Sequence, residues 1–113
     1  MALQTVSAAV AEAESGPPLL WILGWARQVD RTALHEHLGP PLHVETDSTR
    51  TFGGDEDWWL YEAEAGEVLG VCLRVPYGDA VLYSSIESMQ RAPELADALS
   101  PWPVEIFEKP YAR

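Results

Sequence analysis

Three histidines, His35, His37 and His43, are the first residues to test for catalysis or metal binding. His35 and His37 lie two positions apart. On a helix that spacing turns the two imidazoles about 200° away from each other, so they cannot share a metal ion. On a strand they would share a face, but the segment around them reads as helix. The HExxH and paired CxxC motifs of zinc sites are absent. The histidines therefore read as surface residues near a helix end, with metal binding as the remoter alternative.

Nucleophiles and phosphate cradles are no better marked. GxSxG is missing, and Ser84-Ser85 closes a strand pattern with no histidine nearby in sequence. Gly53-Gly54 is too short for a phosphate loop, GxGxxG is absent, and the acids that follow would repel phosphate. Cys72 is the single cysteine, so no intrachain disulfide is available. It sits in the apolar run Val71-Cys72-Leu73 and reads as a small buried hydrophobe rather than a reactive thiolate. No metal, nucleotide or other cofactor is expected to be needed for folding.

Carboxylates dominate what remains. Asp and Glu number 18 against 7 Lys and Arg, a formal net charge of −11. Such a field repels nucleic acid and anionic membranes and admits a basic protein partner. Solubility alone would also account for it. No pair of acids is singled out for general acid–base work, which needs an environment that shifts a pKa. The acids do concentrate between Glu45 and Glu67, where eight of them face only Arg50 and alternate with Trp58, Trp59 and Tyr61. Charge steers an encounter and rigid aromatics anchor it, so this segment is a candidate protein-binding surface. The expected partner contacts are Asp55, Glu56, Asp57, Trp58, Glu62 and Glu64. The alternative is that both tryptophans are core and the acids keep a hairpin in solution.

The elements that must position these residues follow from periodicity. A 113-residue chain that is 47% hydrophobic suits one domain and can bury roughly two thirds of its unfolded surface. Residues 2–14 have helical spacing of Leu3, Val6 and Val10 and good helix formers, ended by Ser15-Gly16-Pro17-Pro18. Leu19 to Trp25 is apolar on both faces, as in a covered central strand. Asp30 suits the N-cap of a helix from Arg31 to Leu38, with Ala33, Leu34 and Leu38 inward and Gly39-Pro40-Pro41 as the stop. Leu42 to Thr46 reads as a strand and residues 47–56 as a loop.

Asp57 to Ala63 and Glu67 to Val75 read as a hairpin. Glycine at the third loop position favours a type I turn with a G1 bulge. That register sets Trp59 opposite Val71 and Tyr61 opposite Leu69, with Trp59 in the core and Trp58 on the other, also apolar, face; a two-residue loop instead would swap the two tryptophans. Pro76 to Asp79 is a turn, Ala80 to Ser84 a strand, Pro93 to Leu99 a helix and Val104 to Phe107 a last strand, with Lys109 to Arg113 as a loose tail. The sum is one α+β domain, a mainly antiparallel sheet with helices packed on it.

The N-terminus has neither a basic start nor a continuous apolar core, and no run approaches the ~20 residues that span a bilayer. The expected compartment is the cytoplasm. The stretch GGDEDWWLYEAEAGEVLGVCLRVPYGDAVLY, within residues 50–84, resembles small acidic bacterial proteins encoded beside polymorphic toxins, the immunity proteins. The resemblance implies a cytoplasmic, non-enzymatic inhibitor that plugs a cognate toxin, possible targets including a basic nuclease. It carries over no site residue. The competing expectation is a small enzyme or ligand-binding domain, with polar groups such as His35, His43 and Arg74 converging on a pocket.

Overall fold

The apolar alternation around the two central tryptophans organises the whole sheet. The computed structural model describes residues 4–5, 21–46, 55–62, 67–75 and 77–112. In chain order these form β1 (Gln4–Thr5), β2 (Trp21–Ala26), α1 (Arg31–Leu38), β3 (His43–Thr46), β4 (Asp55–Glu62), β5 (Val68–Arg74), β6 (Asp79–Ser84), α2 (Ala92–Ala98) and β7 (Val104–Ala112). The strands build one antiparallel sheet in the order β1-β4-β5-β6-β2-β7. Strand β3 joins the same edge of β4 as β1, pairing with its first half. The architecture is α+β. The radius of gyration is 13.0 Å, close to the ~13 Å of a folded domain of about this length.

Strand β4 pairs with β5 in the expected register, Trp59 opposite Val71 and Tyr61 opposite Leu69. The further expected pair, Ala63 with Glu67, involves Ala63, which lies outside the described residues. A period of two then divides the side chains between two cores. Trp59, Leu69, Val71, Leu73, Leu82 and Leu23 pack under Leu34 of α1 and Leu95 of α2. Trp58, Leu60, Cys72, Val81 and Tyr83 form a second apolar cluster on the opposite face, bordered by Ile22, Trp25, Leu42 and Val68. Trp58 is 0% exposed, so both faces of the central hairpin are interior.

The first helix is specified locally. The Asp30 carboxylate accepts the Ala33 N–H at 2.9 Å, and Gly39, at φ 86°, returns its N–H to the His35 carbonyl at 2.9 Å. The positive φ favours glycine there. Leu34 is fully buried, while Ala33 and Leu38 are half-buried.

Three expectations need correction. Gln4 and Thr5 form a strand on Glu62 and Tyr61 rather than part of a helix over 2–14. The edge of β4 offers Gln4 and Thr5 backbone partners, and this tertiary pairing overrides the helical propensity of the run they begin. The rest of that helix lies outside the described residues. Asp55 and Glu56 belong to β4, not to a loop, because β3 pairs with them at Thr46 and Glu45. Residues 47–54 of that expected loop are also outside the described ones. Finally, Lys109 to Ala112 are not a tail, since Tyr111 and Ala112 pair with Ile22 and Trp21.

The register of β7 jumps between Ile22 and Gly24, where β7 runs from Ile106 to Tyr111. This irregularity accommodates Pro110 in a strand that could not otherwise hold it. At the same point the backbone of β7 closes onto β2. A Cβ on Gly24 would collide with the Glu105 carbonyl oxygen. Gly24→Ala should therefore destabilise the protein by about 1–3 kcal/mol, the usual cost of forcing atoms into a packed site. Urea unfolding of the two proteins measures this. An unchanged midpoint would mean that β7 does not press on β2.

Candidate functional site

The acids Asp55-Glu56-Asp57 open β4, and strand alternation separates them. Asp55 and Asp57 turn toward α1, whereas Glu56 shares the Trp58 face and pairs across to Arg74. Asp57 is 0% exposed. Its carboxylate accepts two parallel bonds from Arg31, Nε to Oδ2 and Nη2 to Oδ1, both at 2.8 Å. His35 Nε2 lies 2.7 Å from Oδ2. Arg31 Nη1 reaches Asp55 Oδ2 more loosely, at 3.4 Å.

Arg31 and His35 are one helical turn apart, so α1 presents both on the face that meets β4. The His35 ring meets Trp59 edge-on at 5.4 Å, and the Trp59 indole N–H donates to the Gly39 carbonyl at 3.0 Å. The helix is thus tied to β4 along its length.

Burial alone would raise the Asp57 pKa. The hydrogen bonds from Arg31 and His35, with the Arg31 charge, reverse this and hold the carboxyl below its ordinary value. The bond to Asp57 in turn raises the Arg31 guanidinium. A buried carboxylate kept ionised in this way needs both partners. His35 Nε2 is committed to one oxygen of this carboxylate. Arg31 takes both carboxylate oxygens, however, so the principal result is to pin α1 to the sheet.

Other polar groups are committed to the fold. The buried Ser84 hydroxyl donates to Glu67 Oε1 at 3.0 Å, and Ser85 Oγ accepts the Val68 N–H at 2.9 Å. Arg91 stands 3.7 Å from Glu67 and donates to Glu94 at 2.8 Å. His37 Nε2 lies 2.8 Å from the Ala98 carbonyl at the end of α2. His43 pairs opposite Trp58 on the second face, and Arg74 lies on that face too, bonded through Nε to Asp79 at 2.8 Å. His35 faces α1's side of the sheet. The three groups suggested for a convergent pocket, His35, His43 and Arg74, are therefore not brought together. Among the described residues no three His, Cys, Asp or Glu side chains gather as a metal site.

The expected contact residues separate in the same way. Asp55 and Glu56 are half-buried. Asp57 and Trp58 are fully enclosed, which corrects the expectation that they form part of a contact surface. Glu62 is the last residue of β4, and Glu64 lies outside the described residues. Sequence reading missed Arg31, whose signal was an Arg and a His at helical i, i+4 spacing in a chain poor in cations. It also missed Trp25, Arg27 and Gln28, which line two surface clefts of about 560 and 380 Å³ at the end of β2. Comparison with known proteins gives no match to a family model, a curated protein or a solved structure. No helix among the described residues is long and apolar enough to cross a membrane.

A double-mutant cycle tests the Asp57 cluster. Arg31→Ala leaves the buried carboxylate with one partner and should cost about 2–3 kcal/mol, near or below the usual range for breaking a buried pair because Arg31 is 39% exposed. In an Asp57→Ala background the same change should cost at least about 1 kcal/mol less. Equal costs in both backgrounds would show that the two side chains are not coupled.

Proposed function

We propose that the chain is a cytoplasmic protein-binding module of immunity type, which inhibits a cognate basic toxin by docking its acidic surface on it. One observation supports this most. The described arginines of the fold are largely engaged internally, Arg31 with Asp57 and Asp55, Arg74 with Asp79 and Arg91 with Glu94. Each such pair removes one charge of either sign and leaves the excess of −11 untouched. Asp30, Glu36, Glu87, Asp97 and Glu108 are exposed and face solvent in a field with few cations to oppose them. A basic surface is attracted before contact, and a nuclease in particular has a cationic cleft that carboxylates would fill in place of phosphates.

On this reading the contacts include Asp55, Glu56, Glu62 and Glu64. Asp57 and Trp58 act from behind, Asp57 by fixing α1 beside the strand and Trp58 by filling the core beneath it. A second reading, a ligand-binding domain, is favoured by the clefts beside Trp25.

Association kinetics with the basic toxin that this reading requires to be encoded beside the chain provide the test. The variant should spare Asp57, so Asp55→Lys, Glu62→Lys and Glu64→Lys are combined. Only the loose 3.4 Å contact to Arg31 is known to be given up at Asp55, and exposed pairs of that kind contribute little to stability. The triple variant should associate about 10- to 1000-fold more slowly at low salt. The difference should shrink at high salt, because screening acts over ~8 Å at physiological ionic strength. An on-rate unaffected by either the substitutions or salt would overturn the acidic-surface reading.

A further inference from the structure

The cationic counterpart of this acidic protein lies at the far end of β2. Arg27 is exposed, and its guanidinium stands 5.0 Å above the Trp25 ring. Among the described residues no carboxylate is ion-paired with it. Across the cleft, Arg74 is bonded to Asp79 through Nε and Nη2, which leaves Nη1 uncommitted to that carboxylate. Its guanidinium covers the face of Tyr77 at 4.9 Å, and Tyr77 is 51% exposed. Trp25, Arg27, Gln28, Arg74, Tyr77 and Asp79 line one cleft of about 380 Å³. A second, of about 560 Å³, shares Trp25, Arg27 and Gln28 and is completed by Pro103, Val104 and Glu105. Both volumes fall in the range of ~300–1000 Å³ typical of small-ligand sites.

The cleft is built before any ligand arrives. The Trp25 indole N–H donates to Glu105 at 2.7 Å, and Phe107 meets the ring edge-on at 5.1 Å, so the indole is fixed. The Val29 N–H donates to the Gly78 carbonyl at 2.8 Å, joining the 27–29 segment to the β5–β6 turn that carries Tyr77. Between them Gln28 holds φ at 57°, a left-handed conformation that non-glycine residues rarely adopt. Backbone strain of this sort collects at binding sites, where the surrounding structure enforces it.

We propose that this cleft binds a monocarboxylate carrying an aromatic or apolar group. The guanidiniums of Arg27 and Arg74 supply donors matched to a planar carboxylate. Trp25, Tyr77, Val104 and Pro103 provide apolar and aromatic wall. Asp79 and Glu105, in a chain of net charge −11, weigh against a dianion, so a carboxylate is favoured over a phosphate monoester. Such a group comes either as a free small acid or as the C-terminus of a peptide ending in an aromatic residue. This site adjoins the start of the acidic strand, where Glu56 lies opposite Arg74, but it does not depend on the toxin-binding reading.

The experiment is an amide and indole NMR titration of the intact protein. The probes are phenylacetate, a tripeptide ending in phenylalanine with a free C-terminus, its C-terminal amide, and phenyl phosphate. Either carboxylate should shift the Trp25 indole N–H and the Gln28 amide. The amidated peptide and the Arg27→Ala variant should each bind about tenfold more weakly, the usual consequence of losing a charge-assisted hydrogen bond. A peptide that binds more tightly than phenylacetate would identify a C-terminus as the source, and the reverse a free acid. Arg27→Ala should stay folded and lose only a few degrees at most in unfolding temperature, because among the described residues that exposed side chain pairs with no carboxylate and gives up one exposed cation–π contact. Equal binding of acid and amide, tighter binding of phenyl phosphate, or no shift at Trp25 would each overturn the proposal.

Discussion

A single buried carboxylate holds the first helix to the sheet. Asp57 is inaccessible to solvent, yet two parallel bonds from Arg31 and a third contact from His35 leave it ionised. Burying a charge is costly unless its lone pairs are met, and here α1 meets them. The consequence reaches beyond the pair. With α1 in place, Leu34 covers Trp59 and the strands beside it. Gly39 ends the helix where its carbonyl can accept the Trp59 indole N–H. The helix, the tryptophan and the acidic strand are then one rigid unit.

The second constraint is that both faces of the β4–β5 hairpin are apolar, so the two adjacent tryptophans enter two separate cores. This was legible in sequence. Alternation with period two sends the adjacent Trp58 and Trp59 to opposite faces in any register, and the glycine at the third loop position favours the register that turns Trp59 toward the helices over the one that would swap them. Helix α1 was equally legible, because Asp30 and Gly39 are both strong local signals. Asp57 was not. Three consecutive acids resemble a solvated run, and the arginine that changes their meaning lies 26 positions away. Strand β7 was half legible. Lys109 and Pro110 resemble the start of a tail, and only the bulge that accommodates Pro110 lets Tyr111 and Ala112 rejoin β2. The paired Gln4 and Thr5 were hidden by alanine-rich surroundings, since edge pairing depends on a distant partner strand, Gln4 meeting Glu62 and Thr5 meeting Tyr61.

Charge and fold are connected through the arginines. The chain has few cations, and the fold places three of them against carboxylates at structural joints. Among the described residues, exposed acids then outnumber the exposed cations Arg27 and Lys109. The surface therefore combines a broad anionic field with a local cationic notch at Arg27, on its tryptophan. The field acts at long range and governs encounter rates. The notch acts only at contact, through directed hydrogen bonds. A protein of this construction can attract a basic partner and still hold a carboxylate at a defined point.

All of this rests on Asp57 being charged inside the protein. The direct measurement is the titration of its side-chain carboxyl carbon by NMR as pH is lowered. A depressed carboxylate contributes stability that is present above the unfolded-state pKa of ~3.9. That contribution is lost as pH falls through the lower folded-state value. We expect the Asp57 signal to remain that of a carboxylate at pH values where ordinary aspartates are already half protonated, with α1 unlocking from the sheet as it finally titrates. A midpoint above the ordinary aspartate value would show that burial outweighs Arg31 and His35, and would contradict the account.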